Sequence, residues 1–284
     1  MATRPKTLWA AVAPVIIGTA MAIEAGGFHW PAALAALLSA IMIQIGTNYA
    51  NDYFDFKQGA DTHERQGPLR VTQAGLISPK EMKHATIIAF SFALLVGIYL
   101  VIRGGWPIIA IGLLSIACGV LYTAGPFALG YKGLGDLFVL IFFGPAAVGG
   151  TFYVQTLQIN WQVILAGLAP GLMSVAILTV NNLRDIHTDF ASGKKTLAVR
   201  FGVAFAKTEY VTAVFIASII PFILWHTSSS HPLASLAIIT MFTAIPSFKK
   251  VFSYQTGQEL NEVLESTGKL LLLYSLVFSA GWLW

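Results

Sequence analysis

An all-α integral membrane bundle of nine transmembrane helices, forming one domain over residues 1–284, is the fold the sequence predicts. Three observations carry this expectation. Only 11% of the residues are charged and 56% are hydrophobic, against roughly 25% charged in an average soluble domain. Nine apolar segments recur along the chain, whose mean hydropathy is +0.71, each near the ~20 residues that cross a bilayer at ~1.5 Å rise per residue. The basic residues, finally, fall on alternate loops between those segments.

The segments run over residues 8–23, 31–48, 85–102, 106–122, 137–154, 163–180, 210–225, 233–245 and 270–283. Arg4 and Lys6 before the first, with Ala20-Met21-Ala22 near its end, imitate a signal peptide. With eight spans following, it is expected to stay as the first helix. Of the 17 Lys and Arg residues, sixteen fall at the N-terminus and on the loops after spans two, four, six and eight, and only Arg103 falls on the other side. The positive-inside rule makes that charged side cytoplasmic, with the N-terminus cytoplasmic and the C-terminus outside. The net charge of +4 then has a topological origin, and no nucleic-acid partner is expected; membrane lipid is the expected surround. The acids follow the same side, with only Glu24 opposite. Topology does not demand this of acids, so something on that face uses both signs of charge. Spans one to four and five to eight read as a weak parallel duplication with span nine added. Cys118 is the one cysteine, so no intramolecular disulfide or CxxC site can form.

Two polar clusters follow the second span of each set of four. In the first, Asn48, Asn51, Asp52 and Asp55 lie at i, i+3, i+4 and i+7, on one face if the second helix continues. In the second, Asn182, Asp185 and Asp189 repeat the i, i+3, i+7 spacing. An even number of spans separates them, so both emerge on one membrane face and can converge. Carboxylates at a helix C-terminus meet the negative end of its dipole and call for a cation. Oxygen donors of this kind suit Mg²⁺ held together with substrate phosphates. Arg65, Arg70, Lys132, Arg184, Lys194 and Lys195 are placed to neutralise the rest of a diphosphate. His63, His84 and His187 have no metal-binding spacing and are given no metal role.

The pattern Asn48-x-x-Asn51-Asp52-x-x-Asp55-x-x-x-Gly59-x-Asp61, then Arg65-x-Gly67-Pro68-x-Arg70, resembles the UbiA superfamily of intramembrane aromatic prenyltransferases. So do Tyr122-Thr123-Ala124-Gly125-Pro126 to Gly133-Leu134-Gly135-Asp136, and Asn181-Asn182-x-Arg184-Asp185 through Asp189 to Gly193-Lys194-x-Thr196 and Gly202. Gly59 stands where the wider pattern has its third aspartate, and Asp61 follows two residues later. That shift is similar to the branch acting on 1,4-dihydroxy-2-naphthoate in menaquinone synthesis. The resemblance implies a UbiA-like bundle with a central cavity capped by cytoplasmic loops, in the cell inner (plasma) membrane. It implies Mg²⁺ on Asp52, Asp55, Asp185 and Asp189, with Asn48, Asn51 and Asn182 as neutral ligands or donors and a polyprenyl diphosphate as donor substrate. The aromatic acceptor would be 1,4-dihydroxy-2-naphthoate, alkylated with loss of CO₂ to give demethylmenaquinone, and Asp61 or Tyr122 is the expected base. Other acceptors (4-hydroxybenzoate, homogentisate, a lipid alcohol) are the alternative. A non-enzymatic membrane carrier is disfavoured because the acids gather at one face and not at the midplane.

Overall fold

Each long apolar run becomes a helix. The computed structural model describes residues 2–59, 66–125 and 128–284, and among them there is no strand. In chain order the helices are α1 (Trp9–Glu24), α2 (Trp30–Lys57), α3 (Pro79–Gly104), α4 (Trp106–Leu121), α5 (Gly135–Phe142), α6 (Pro145–Thr156) and α7 (Trp161–Arg184). After the short α8 (Ile186–Ala191) come α9 (Leu197–Ser228), a 3₁₀ stretch Pro232–Ala244 that runs into α10 (Ile245–Ser253), and α11 (Leu260–Leu283). Eight of the resulting segments are long and apolar enough to cross a membrane, and α4 is a shorter ninth. The protein is a multi-pass membrane protein with the nine spans expected.

Side-chain caps start the helices that leave polar loops. Ser78 Oγ accepts from the Glu81 amide at 3.2 Å while Glu81 accepts from the Ser78 amide at 2.9 Å, a reciprocal box that opens α3. Asn160 Oδ1 accepts from the Val163 amide at 2.9 Å to open α7. Two spans depart from the single helix the sequence suggests. The fifth breaks at Gly144-Pro145, because proline lacks the amide an α-helix needs and clashes with the preceding turn. The eighth is 3₁₀ over its first half. α9 also bends, at Gly202, whose φ of 85° is open to glycine at little cost; the turn before it belongs to the loop and the rest to the span.

Between helices in lipid the hydrophobic effect is weak, and close packing of small residues takes over. The break at Gly144 lies on α7: a Cβ at Gly144 would reach 2.7 Å from the Gly167 carbonyl oxygen, and one at Gly171 would reach 2.5 Å from the Leu140 carbonyl oxygen. Gly18 of α1 lies likewise against Val148 and Thr151 of α6. Polar stitches add to this, with Tyr210 of α9 and Thr267 of α11 sharing a hydrogen bond of 2.9 Å. Helices α1, α7, α9 and α11 supply most of the buried core, including Ile17, Met173, Leu224 and Leu271. By contrast α4 buries a single residue, Ile108. It stands off from the bundle, and a cavity of about 720 Å³ lies between it and α1, α2, α3, α5 and α6, lined almost wholly by apolar side chains.

The two kinds of helical glycine should separate in stability. Gly171→Ala is expected to cost about 1–3 kcal/mol through overpacking. Gly97→Ala, where a Cβ would meet nothing within 4 Å, is expected to be neutral or stabilising by up to ~1 kcal/mol from helix propensity. Thermal unfolding of the two variants in detergent checks this.

Candidate active site

Helix α2 runs on past its apolar part to Lys57, so Asn48, Asn51, Asp52 and Asp55 are all helical and share a face as their spacing requires. Asn48, Asp52 and Asp55 are buried, the two aspartates at 2% exposure each. On the other side α7 ends at Arg184, Asp185 sits at the junction, and α8 restarts at once, the Asp189 amide donating to the Asp185 carbonyl at 2.8 Å. The junction keeps Asp185 and Asp189 in near-helical register, both buried with Asn182.

The two clusters meet. Lys194 Nζ lies 3.2 Å from Asp55 Oδ1 and 3.8 Å from Asp189 Oδ1, so one ammonium joins acids 134 residues apart in sequence. Its charge also lies 5.0 Å over the Tyr131 ring. The second oxygen of Asp55 accepts from Arg70 Nη2 at 2.8 Å. Asp52 Oδ1 accepts from the Thr72 amide at 3.3 Å, so the loop after α2 folds back over its end. Arg184 grips Asp185 through Nε at 2.8 Å and Nη2 at 2.7 Å, while Nη2 also donates to Asn181 Oδ1 and Nη1 donates to Asn261 Oδ1, each at 2.8 Å. Such a pair, with both partners buried, is expensive to desolvate and adds little to stability by itself; an ionic cluster of this kind in a membrane is a functional signature.

The asparagines and lysines of the motifs divide by role. Asn48 donates to the Thr3 carbonyl at 3.0 Å, tying the N-terminal segment to α2, and Asn51 Oδ1 accepts from Thr123 Oγ1 at 3.0 Å. Both amides therefore brace the cluster. Lys132 and Lys195 are exposed. Their backbones knit the loops after α4 and α8: the Lys195 amide donates to the Tyr131 carbonyl at 3.1 Å, and Arg200 donates to the Lys132 and Lys195 carbonyls at 2.7 and 2.9 Å. Asp61 and Arg65 lie outside the described residues. Thr72, Tyr131, Arg200 and Asn261 have no role assigned from the sequence, where a polar residue carries no signal of a remote partner. Thr123 and Asp136 stand in the quoted motif without a role of their own; Asp136 is buried in the first turn of α5.

Tyr122 stands where the acid clusters meet the apolar cavity: it lines the cavity, and the neighbouring Thr123 bonds Asn51. An ordinary phenol is neutral at physiological pH, so the Tyr122 hydroxyl is suited to donate a hydrogen bond. The site as a whole combines four hard carboxylates, paired cations and an adjoining apolar tunnel. Among the described residues no three acids stand close enough together to hold a metal ion by themselves, but oxygen donors of this kind would suit Mg²⁺ brought in with a diphosphate.

Comparison with known proteins agrees with this geometry. Residues 11–284 match the model of the UbiA prenyltransferase family. The chain is 38% identical to 1,4-dihydroxy-2-naphthoate octaprenyltransferase of Escherichia coli, over 98% of this chain and 92% of that one. It is 37% identical to the protein of the same name in Mycobacterium tuberculosis, over 96% and 92%. Among solved structures, the apo UbiA homolog of Aeropyrum pernix shares the fold with a TM-score of 0.72 at 13% identity, covering 97% of this chain and 96% of that one. A UbiA homolog of Archaeoglobus fulgidus bound to DMAPP and Mg²⁺ aligns with a TM-score of 0.65 at 17% identity, covering 98% and 96%. Sequence and architecture agree, and the chain belongs to the UbiA prenyltransferase family.

Proposed function

We propose that this prenyltransferase moves a polyprenyl group from a polyprenyl diphosphate to 1,4-dihydroxy-2-naphthoate, releasing diphosphate and CO₂ and leaving the demethylmenaquinone skeleton in its hydroquinone form. The observation that carries this reading is the convergence of Asp55 and Asp189 on Lys194 beside a long apolar cavity. A charged head and a hydrocarbon tail are thereby accommodated side by side. The acceptor and the long chain are drawn from the octaprenyltransferase relatives.

In this mechanism Asp52, Asp55, Asp185 and Asp189 would hold Mg²⁺ together with the donor's diphosphate, and Asn182 would assist. The bound metal would neutralise charge that grows on the leaving diphosphate. Arg70, Arg184 and Lys194, which pair the carboxylates, turn toward phosphate oxygens, and Arg65, Lys132 and Lys195 on the same loops add positive field. The cavity takes the isoprenoid tail and keeps water from the electron-poor allylic carbon. Asp61 draws a proton from the acceptor's ring hydroxyl while Tyr122, neutral, orients the ring by a hydrogen bond. The ring carbon bearing the carboxylate forms the new carbon–carbon bond as the allylic carbon–oxygen bond breaks. The electrons of the carbon–carboxylate bond then return to the ring as CO₂ departs, and Asp61 gives its proton back to the ring oxygen to complete the hydroquinone. With sixteen of seventeen bases at the N-terminus and on the loops of the membrane face that carries the site, that face and the N-terminus are cytoplasmic in the plasma membrane, with the C-terminus outside.

Two results are expected. Asp52→Asn and Asp185→Asn should each lower turnover by about a hundredfold or more while the protein stays abundant in the membrane; near-normal rates in both would remove the acid clusters from the reaction. Carboxyl-labelled 1,4-dihydroxy-2-naphthoate should release labelled CO₂ only when prenyl diphosphate is present, one CO₂ per diphosphate. Transfer to 4-hydroxybenzoate alone, with its carboxylate retained, would assign the chain to another acceptor.

A further inference from the structure

Helix α4 is pinned near both ends. At one end Gly119 lies directly against Thr47 of α2, and at the other Ile108 packs onto Gly104 at the end of α3. The α4 residues that line the cavity run from Ile108 to Gly119 and include Gly112 and Ser115. Gly112 is therefore on the cavity wall between the two points of attachment. A glycine inside a helix costs about 1 kcal/mol relative to alanine, and close backbone approach usually explains it, as at Gly18, Gly167 and Gly171. Gly112 has no such reason. A Cβ there would meet no atom within 4 Å, although the residue is half-buried and lines the cavity. The missing side chain leaves space, and that space is the lumen.

We infer that Gly112 sets the bore of the tail tunnel and so decides how long a prenyl chain the protein accepts. This rests on the transferase reading above. Ten residues of α4 separate Gly112 from Tyr122, a depth of about 15 Å at helical rise. An extended isoprene unit, four chain bonds of about 1.5 Å laid in zigzag, advances roughly 5 Å. Gly112 therefore stands beside about the third unit of a bound chain. A farnesyl chain ends there, whereas an octaprenyl chain must pass.

The test compares farnesyl and octaprenyl diphosphate on wild type, Gly112→Leu and Leu114→Phe. Leu114 is an exposed neighbour on α4 that does not line the cavity, so its variant controls for disturbance of the helix. Gly112→Leu improves helix propensity, and it should lower kcat/KM for octaprenyl diphosphate roughly tenfold or more, the scale of a methylene-sized misfit in an apolar pocket. Its kcat/KM for farnesyl diphosphate should stay within about twofold, and Leu114→Phe should leave the preference unchanged. An unchanged preference in Gly112→Leu, or an equal loss for both donors, overturns the inference. Equilibrium binding of the two diphosphates to the purified full chain separates the two readings. If wild type transfers neither chain yet Gly112→Leu shifts the length preference in binding, the transfer reading falls and the bore stands. If wild type transfers both and neither measurement shifts, the bore falls and transfer stands.

Discussion

The ammonium of Lys194, set between Asp55 and Asp189, is the interaction on which the rest of the site depends. Each acid cluster is at the end of a helix, where the dipole opposes negative charge, and each is buried. Neither could persist there without a cation. Arg70 pairs with Asp55 and Arg184 with Asp185, and Lys194 pairs with both clusters. It thereby brings the loop after α8 over the loop after α2, and through Tyr131 the loop after α4 joins them. The charged roof is held together by the groups that the proposed reaction needs for its diphosphate.

Beneath that roof the membrane part is built by a different rule. Glycines at 144, 167 and 171 let span five and α7 approach backbone to backbone, and the buried apolar core gathers on the side of α1, α7, α9 and α11. The side of α3 and α4 is left loosely filled. Ile102 and Leu95 line the cavity and are also 80% and 66% exposed, so the cavity has a wall that adjoins lipid. Tight packing on one side and space on the other follow from where the glycines meet backbone and where they meet nothing.

Much of this was legible in the sequence because it depends on local periodicity. Nine apolar runs became nine spans, and the i, i+3, i+4, i+7 spacing of Asn48, Asn51, Asp52 and Asp55 became one buried face of α2. Less was legible where a partner is remote. Nothing near Lys194 in sequence says that it reaches Asp55, and Lys195, one residue later and read equally as a phosphate binder, points its side chain to solvent while its backbone bonds Tyr131 and Arg200. Asn48 and Asn51 are expected from the sequence as neutral ligands or donors, and the partners they have in the fold, Thr3 and Thr123, are linked to them by no spacing rule. The break in span five was written in Gly144-Pro145, but a run of apolar residues on both sides hid it.

A double-mutant cycle between Asp55 and Lys194 tests the central claim most directly, read as unfolding stability of the metal-free protein in detergent. Removing one partner of a buried pair typically costs about 3–5 kcal/mol. If Lys194 joins the clusters, Asp55→Asn should cost at least about 1 kcal/mol less in a Lys194→Met background than in wild type. Effects that add within about 0.5 kcal/mol would contradict the account, because Asp55 and Lys194 would then not be partners and the two acid clusters would lack their common cation.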